Sequence, residues 1–487
     1  MAAKAARYTI IFVPFPAQGH VTPTLRLART LVDHGDVSVT VAVPDFIHCR
    51  MAQLSIPGVA LVSIPSGIQD DGNGEPPGPP SFLHALEHYM PAQLEGMLTT
   101  ERGIVGARRV SCLVVDLLAS WAITVAARLG LPVVGFWVGM SATYRTVAVI
   151  PELMDKGLIS ESGTIVSPDQ IDSGHCNIHQ NIADLHILPA KLKLRFKDLP
   201  WLISSSAVSQ KSRLAFWLQT VNRAKTIRSI LVNSINGEGG DSELYDPPQG
   251  QEILPVGPLL FNDDSKKTTA MWQVDQTCIG WLDKQSVGSV IYVSFGSWAA
   301  PMEPEKISGF AHGLEASGRP FLWALKNHPS WRAGLPDRYM EKVACHGKIV
   351  SWAPQDDILK HKAVGCYITH CGWNSVLEAV RHGVRMICYP ISSDHFINCA
   401  YIVHMWEVGI ALDSSDQSNV KDCIGRVMEG EEGRHLQQMV NKLRKTITVG
   451  EAMCVAKRSL SLFMERIKNN LSDEDIRRNQ VTPQNCG

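Results

Sequence analysis

The stretch W-A-P-Q-D-D-I-L-K-H-K-A-V-G-C-Y-I-T-H-C-G-W-N-S-V-L-E, Trp352 to Glu378, continues as A-V-R-H-G-V-R-M-I-C-Y-P-I-S-S-D-H to His395. Val364 to Thr369 is short, β-rich and uncharged, which predicts a buried strand. The run breaks at His370, Cys371 and Gly372. Asn374 or Ser375 then caps a predicted helix that ends near Gly383. Arg385 to Tyr389 is a second buried strand, stopped by Pro390. Strand, Gly turn, helix and strand make a βαβ unit, and ligands of such sheets sit beyond the carboxyl ends of the strands. His370, Asn374, Ser375, Glu378, Asp394 and His395 fall at or near those ends, where a helix N-terminus can receive a phosphorylated ligand.

The same alternation extends in both directions. At 487 residues the chain exceeds one ordinary core, so two domains are expected. Tyr8 to Val13 reads as a buried strand. After P-F-P-A-Q-G-H-V-T-P, Thr22 is read as a helix cap with Pro23 at the first helical position. Leu25, Ala28, Leu31 and Val32 give that helix an apolar stripe, Gly35 ends it, and Val37 to Val43 is the next strand. Val110 to Val115 and Leu131 to Trp137 are further strands, and Ile230 to Asn233 is expected to be the last of the first half. Ser66 to Ser81 reads as a loop, Asp169 to Asp184 as an irregular insertion, and Phe261 to Ala270 as a linker. Ser289 to Ser294, Phe321 to Leu325 and Lys348 to Ser351 begin a second alternation. Val455 to Lys468 is a last helix, with a mobile tail after Leu471. The expected boundaries are 1–255 and 256–487, with a linker near 258–275: two facing doubly wound α/β domains and a cleft between them.

Bulk composition excludes several classes of function. A net charge of −1 argues against nucleic acid or an anionic membrane as partner. Twelve cysteines are scattered, several within apolar runs, and fit a reducing compartment better than a disulfide framework. Cys366 and Cys371 bracket a strand with no matching second Cys/His pair at zinc-ligand spacing, so no metal is expected; His175 and His179 are read as loop residues. Pro14 and Pro16 interrupt any signal-peptide core, and the apolar stretch Leu113 to Met140 is broken by Asp116, Arg128 and Gly-Leu-Pro. A cytoplasmic, monomeric protein without a membrane span is expected.

His20 stands at the turn after the first strand. A lone His is more often structural, but a neutral imidazole at the mouth of a parallel sheet suits a general base. Asp116, at the end of another strand, either caps the segment that follows it or orients His20 and stabilises its protonated form; the two roles are compatible.

Together these motifs resemble the plant family-1 UDP-dependent glycosyltransferases over nearly the whole chain. The resemblance rests on P-A-Q-G-H at Pro16 to His20, V-I-Y-V-S-F-G-S at Val290 to Ser297, G-R-P-F-L-W at Gly318 to Trp323, and H-C-G-W-N-S with Glu378 four residues past Asn374. D-L-L-A-S-W-A from Asp116 and D-L-P-W-L-I from Asp198 are similar to the subgroup numbered 82. The resemblance implies a GT-B fold, an N-terminal acceptor domain, a C-terminal donor domain, and inverting transfer without metal or other cofactor. It implies that Trp352 stacks on uracil, that Ala353 meets the base through its backbone, and that Gln355 and Glu378 bond the ribose hydroxyls. Ser297, His370, Asn374 and Ser375 would hold the diphosphate; Trp373, Asp394 and His395 would face the sugar. His20 would be the base and Asp116 its partner.

Two positions depart from the family pattern. His395 stands where glucose-using members usually have Gln, and His there is associated with galactose or arabinose donors. Val138 stands where many have a Ser or Thr that bonds the sugar 6-hydroxyl. Glucose remains the first choice of donor, with galactose or arabinose as alternatives. A dehydrogenase is disfavoured because no G-x-G-x-x-G follows the first strand. A non-catalytic nucleotide-sugar-binding protein is disfavoured because His20 and Asp116 are both present. A hydrophobic, hydroxylated small molecule is the expected acceptor, held by loops around Ser66 to Tyr89, Phe136 to Tyr144 and Asp184 to Leu202.

Overall fold

The computed structural model describes residues 8–33, 35–51, 54–68, 79–99, 110–164, 188–192, 194–195, 198–202, 207–235, 250–260, 274–297 and 302–481. His175, His179, Met1 to Arg7, the Phe261 to Ala270 linker and most of the Ser66 to Ser81 loop lie outside them. The first sheet has seven strands: β1 (Tyr8–Val13), β2 (Val37–Pro44), β3 (Val59–Ile64), β4 (Cys112–Asp116), β5 (Val133–Trp137), β6 (Ser229–Val232) and β7 (Glu252–Pro255). They are ordered β3-β2-β1-β4-β5-β6-β7. The second has six: β8 (Val290–Ser294), β9 (Phe321–Ala324), β10 (Gly347–Val350), β11 (Val364–Thr369), β12 (Arg385–Cys388) and β13 (Gly409–Ala411), ordered β10-β9-β8-β11-β12-β13. Every pairing between these strands is parallel. Parallel strands are covered on both faces, so their sequences are continuous apolar runs, and β1, β8 and β11 are buried at every residue.

In each sheet the strand order reverses once, between β1 and β4 and between β8 and β11. That switch point opens a crevice beyond the carboxyl ends of the strands, where open α/β sheets bind their ligands. Register puts Val13 opposite Val115, so the turn after β1 and the end of β4 meet at the first crevice. Thr369 lies opposite Ser294, so His370 and the Ser294–Ser297 turn meet at the second.

Several local expectations are corrected. The helix after β1 runs Gln18–Asp33, one turn earlier than a Thr22 cap allows, with Pro23 inside it. Proline lacks the N–H that would bond the Gly19 carbonyl, and that carbonyl instead accepts from Asn374 Nδ2 of the other domain at 2.7 Å. The helix after β11 runs Trp373–His382 from an N-cap at Gly372, so Asn374 and Ser375 lie in its first turn and do not cap it. Gly383 ends it as expected, at φ +71°, with Gly383 N–H on Val380 O and Val384 N–H on Ala379 O. The last strand of the first sheet is β7, one beyond the strand expected at Ile230 to Asn233; its Pro255 is tolerated because the strand is an edge. β3 and β13 were not anticipated, and the loop expected up to Ser81 gives way to helix at Pro79. The last helix spans Glu451–Val481, well past Leu471. It returns to the first sheet, where Arg466 donates to Ser229 Oγ at 2.8 Å and pairs with Glu252.

Candidate active site

His20 lies in the first turn of its helix, and its Nδ1 is 2.7 Å from Asp116 Oδ2. Asp116 is almost wholly buried, while the His20 ring keeps 19% of its surface open. The carboxylate is saturated from behind: Oδ1 accepts from Leu118 N–H at 3.0 Å and Oδ2 from Phe15 N–H at 3.2 Å. Asp116 therefore caps the short turn after β4 and also orients His20, the two compatible roles read from the sequence. With Nδ1–H donated to a carboxylate, Nε2 is left as the basic nitrogen, facing the cleft.

The opposite wall is a hydrogen-bonded lattice. Tyr292 on β8 and Tyr367 on β11 stack with ring centroids 4.9 Å apart, and both hydroxyls donate to Gln355 Oε1, at 3.2 and 3.0 Å. Burial pushes the Tyr367 phenol up to about 12 and holds the Tyr292 phenol well above its ordinary value, so both remain donors. Gln355 Nε2 donates to Ser375 Oγ at 3.0 Å and Glu378 Oε2 at 2.9 Å. The Gln355 amide is thus engaged within the protein and orients Glu378. Glu378 Oε1 accepts from Arg26 of the first domain at 2.8 Å. Trp373 Nε1 donates to the Asn233 carbonyl at 2.6 Å, again across the cleft.

His370 is buried between Gly296 and Gly372, where an added Cβ would come within 2.5 and 2.4 Å of its Nε2. Only glycine permits this approach on either side. Its Nδ1 is buried without a hydrogen-bond partner among the described residues, as is Asn374 Oδ1. Such orphans beside a cavity mark atoms that a ligand can satisfy. The His395 ring stands edge-on to His370, with centroids 4.7 Å apart. Burial lowers His370 to about 3 and His395 to about 4, so both are neutral at pH 7. Ser392 N–H donates to His395 Nδ1 at 3.2 Å, which leaves Nε2–H as a donor and no free acceptor on the ring. Asn398, fully buried, donates to both the Cys371 carbonyl at 2.9 Å and Asp394 Oδ2 at 2.8 Å. It ties the His370 turn, where Cys371 has φ +67°, to the residue expected to face the sugar.

All the residues expected from the sequence except Asp116 line one cavity of about 480 Å³ between the domains: His20, Ser297, Trp352, Ala353, Gln355, His370, Trp373, Asn374, Ser375, Glu378, Asp394 and His395. Asp116 stands behind His20. Phe15, Leu118, Trp137, Val138, Val147, Pro200 and Trp217 form its apolar part. Arg26, Asn398, Tyr292 and Trp217 escaped the sequence reading. Only Tyr292 left a signal, a phenol inside a buried strand that has to find a partner. Cysteine spacing also missed a group that the fold assembles: the sulfurs of Cys371, Cys388 and Cys399 lie within 4.8 Å of one another, all buried and none lining the cavity. They could hold a metal ion, so linear spacing does not by itself dismiss one.

Among the described residues no helix is long and apolar enough to cross a membrane. Residues 262–441 match the family model of UDP-glucoronosyl and UDP-glucosyl transferases. UDP-glycosyltransferase 82A1 of Arabidopsis thaliana is 41% identical over 461 residues, 90% of this chain and 93% of that protein. A flavonol 3-O-glucosyltransferase of the same plant is 30% identical over 92% of this chain and 94% of its own. In three dimensions the chain is similar to a UDP-glucose:anthocyanidin 3-O-glucosyltransferase solved with UDP, with a TM-score of 0.75 at 25% identity, over 96% of this chain and 100% of that one. With the two facing parallel sheets of a GT-B fold and a relative matched almost end to end, the chain belongs to the plant family-1 UDP-glycosyltransferases, which transfer sugar from a UDP-sugar to a small molecule.

Proposed function

We propose that the enzyme moves a hexose, glucose first, from a UDP-sugar to a hydroxyl of a hydrophobic small molecule, with inversion at the anomeric carbon and without a metal ion. The observation that carries this reading is the His20–Asp116 pair, 2.7 Å apart, facing a polar donor wall across one cavity. The acceptor oxygen attacks the anomeric carbon from the face opposite the diphosphate. Its proton passes to His20 Nε2, and Asp116 stabilises the imidazolium so formed. The bond from the anomeric carbon to the phosphate oxygen breaks, and its electron pair leaves with UDP. The unpartnered His370 Nδ1, Ser375, Asn374 and the N-terminus of the Trp373–His382 helix support a seat for the departing diphosphate.

Phe15, Trp137, Val147 and Trp217 favour an aromatic or terpenoid acceptor, since a pocket of this kind reads shape and apolar area more than polar pattern. One observation favours a different donor. His395 offers only Nε2–H, and Val138 brings no hydroxyl, so the sugar seat holds fewer polar handles than a Gln and a Thr would give it. UDP-galactose and UDP-arabinose are the second reading. The test is a mass-spectrometric acceptor screen with equimolar UDP-glucose, UDP-galactose and UDP-arabinose, followed by assignment of the anomer by NMR. A β-glucoside is expected. A dominant galactoside or arabinoside reverses the donor ranking, and an α-linked product from an α-linked donor overturns inversion.

A further inference from the structure

Arg26 is the one residue of the nucleotide half of the cavity that comes from the other domain's first helix and carries a charge. It sits six residues beyond His20, about 9 Å along the same helix at 1.5 Å per residue. Its side chain is only 6% exposed, as expected of a guanidinium held on several sides. Nη2 donates to Glu378 Oε1 at 2.8 Å, and Nη1 to the Leu259 carbonyl at 3.2 Å in the segment where the chain leaves the first sheet. Glu378 is itself only 10% exposed. Its other oxygen is taken by Gln355 Nε2 at 2.9 Å, and Gln355 is pinned by two tyrosines.

An ionised carboxylate has about four lone-pair directions, two on each oxygen. Arg26 uses one on Oε1 and Gln355 one on Oε2, so each oxygen keeps one direction, and the carboxylate lines the cavity. Two acceptors on one rigid carboxylate match two neighbouring hydroxyls, as on a ribose. We propose that Arg26 is a positioning residue through which the first domain reads the donor's ribose: it holds the Glu378 carboxylate aimed so that both oxygens accept from the 2′,3′-diol. This rests on the reading that Glu378 bonds the ribose. Without the guanidinium, a buried Glu378 loses its partner on Oε1 and turns toward water, where it no longer accepts from two hydroxyls at once.

The test is titration of the purified enzyme with UDP and with 2′,3′-dideoxy-UDP, which lacks the two hydroxyls. Arg26→Gln should weaken UDP about tenfold or more, the range for a hydrogen bond to a charged group, and leave dideoxy-UDP nearly unchanged. Arg26→Lys keeps the charge and should recover part of the loss. If Arg26→Gln does not fold, Arg26→Lys carries the comparison, with a loss of a few-fold for UDP alone. Equal weakening of the two nucleotides, or no weakening of UDP, overturns the role of Arg26. Glu378→Ala separates the underlying reading. If it too weakens both nucleotides equally, Glu378 does not bond the diol. If its loss needs the diol and that of Arg26 does not, the ribose reading stands and the positioning role falls.

Discussion

The two walls of the cleft are built on opposite plans. The second-domain wall is a lattice of polar side chains, each fixed by another: Tyr292 and Tyr367 hold Gln355, Gln355 holds Glu378 and Ser375, and Asn398 holds Asp394 and the His370 turn. The first-domain wall is mostly apolar, with Trp137 and Trp217 6.1 Å apart, and carries the hydrogen-bonded pair His20 and Asp116, with Arg26 set apart against Glu378. A ligand part that never changes, a nucleotide, is best met by donors and acceptors oriented in advance. A ligand part that varies is met by shape and apolar area, with the chemistry confined to one well-held base. The largest test of this division is His20→Ala. It should lower turnover about a thousandfold, within the usual span for a general base, while the UDP dissociation constant changes less than twofold. Near-normal turnover would remove His20 as the base, and weaker UDP binding would show that His20 itself also holds the nucleotide.

How far each wall could be read from the sequence follows from the same contrast. The donor wall comes mostly from one continuous stretch, Trp352 to His395, plus the turn at Ser297, so residue spacing and the βαβ pattern nearly locate it, although its supports Tyr292 and Asn398 lie outside that stretch. The acceptor wall draws on Phe15, Leu118, Trp137, Pro200 and Trp217, which only the closed sheet brings together. Arg26 reads as an ordinary polar residue between Leu25 and Leu27, because nothing local announces a carboxylate supplied 352 positions later. β3, V-A-L-V-S-I, does carry an apolar run that the sequence reading passed over, although only Ile64 of it is fully buried, and the three-residue β13 is too short to show one. Asn374 and Ser375 have the chemistry of caps, but Gly372 takes the cap position and frees both side chains for the cleft.

The donor wall is also where acid should act. Burial holds His370 down to about 3 and His395 to about 4, below the roughly 6.5 of an unfolded chain. As pH falls below 6.5 the unfolded chain takes up these protons and the native one does not, so stability present at pH 7 is lost progressively toward pH 4. For His395 alone the loss between pH 7 and pH 5 is about 2 kcal/mol. Denaturant unfolding at the two pH values should therefore show a smaller acid loss in His395→Gln than in the parent, by about that amount. An identical acid loss in both proteins would mean that His395 is not held neutral. Trp352→Ala ranks next. Deleting the flat surface expected under the base should weaken UDP about tenfold and leave acceptor KM unchanged. A matching rise in acceptor KM would mean that the two walls do not bind their ligands separately.

Val138 is where the division between the walls is least complete. It belongs to the first domain, follows Trp137 at the end of β5, and lines the cavity. Its neighbour Gly139 is so close to the donor wall that an added Cβ would lie 3.9 Å from Asp394 Oδ2. A hydroxyl at position 138 could therefore reach a sugar held by the other domain. Val138→Thr exchanges one methyl for a hydroxyl at nearly the same size, and a single new hydrogen bond is worth about 1 kcal/mol net. Preference for UDP-glucose over UDP-arabinose, which lacks the 6-hydroxyl, should rise by about three- to fivefold in kcat/KM, with UDP affinity constant. The change is small because one bond is exchanged against water. If the ratio does not move, sugar choice belongs to Asp394 and His395 alone, and the first domain contributes to the donor only through Arg26.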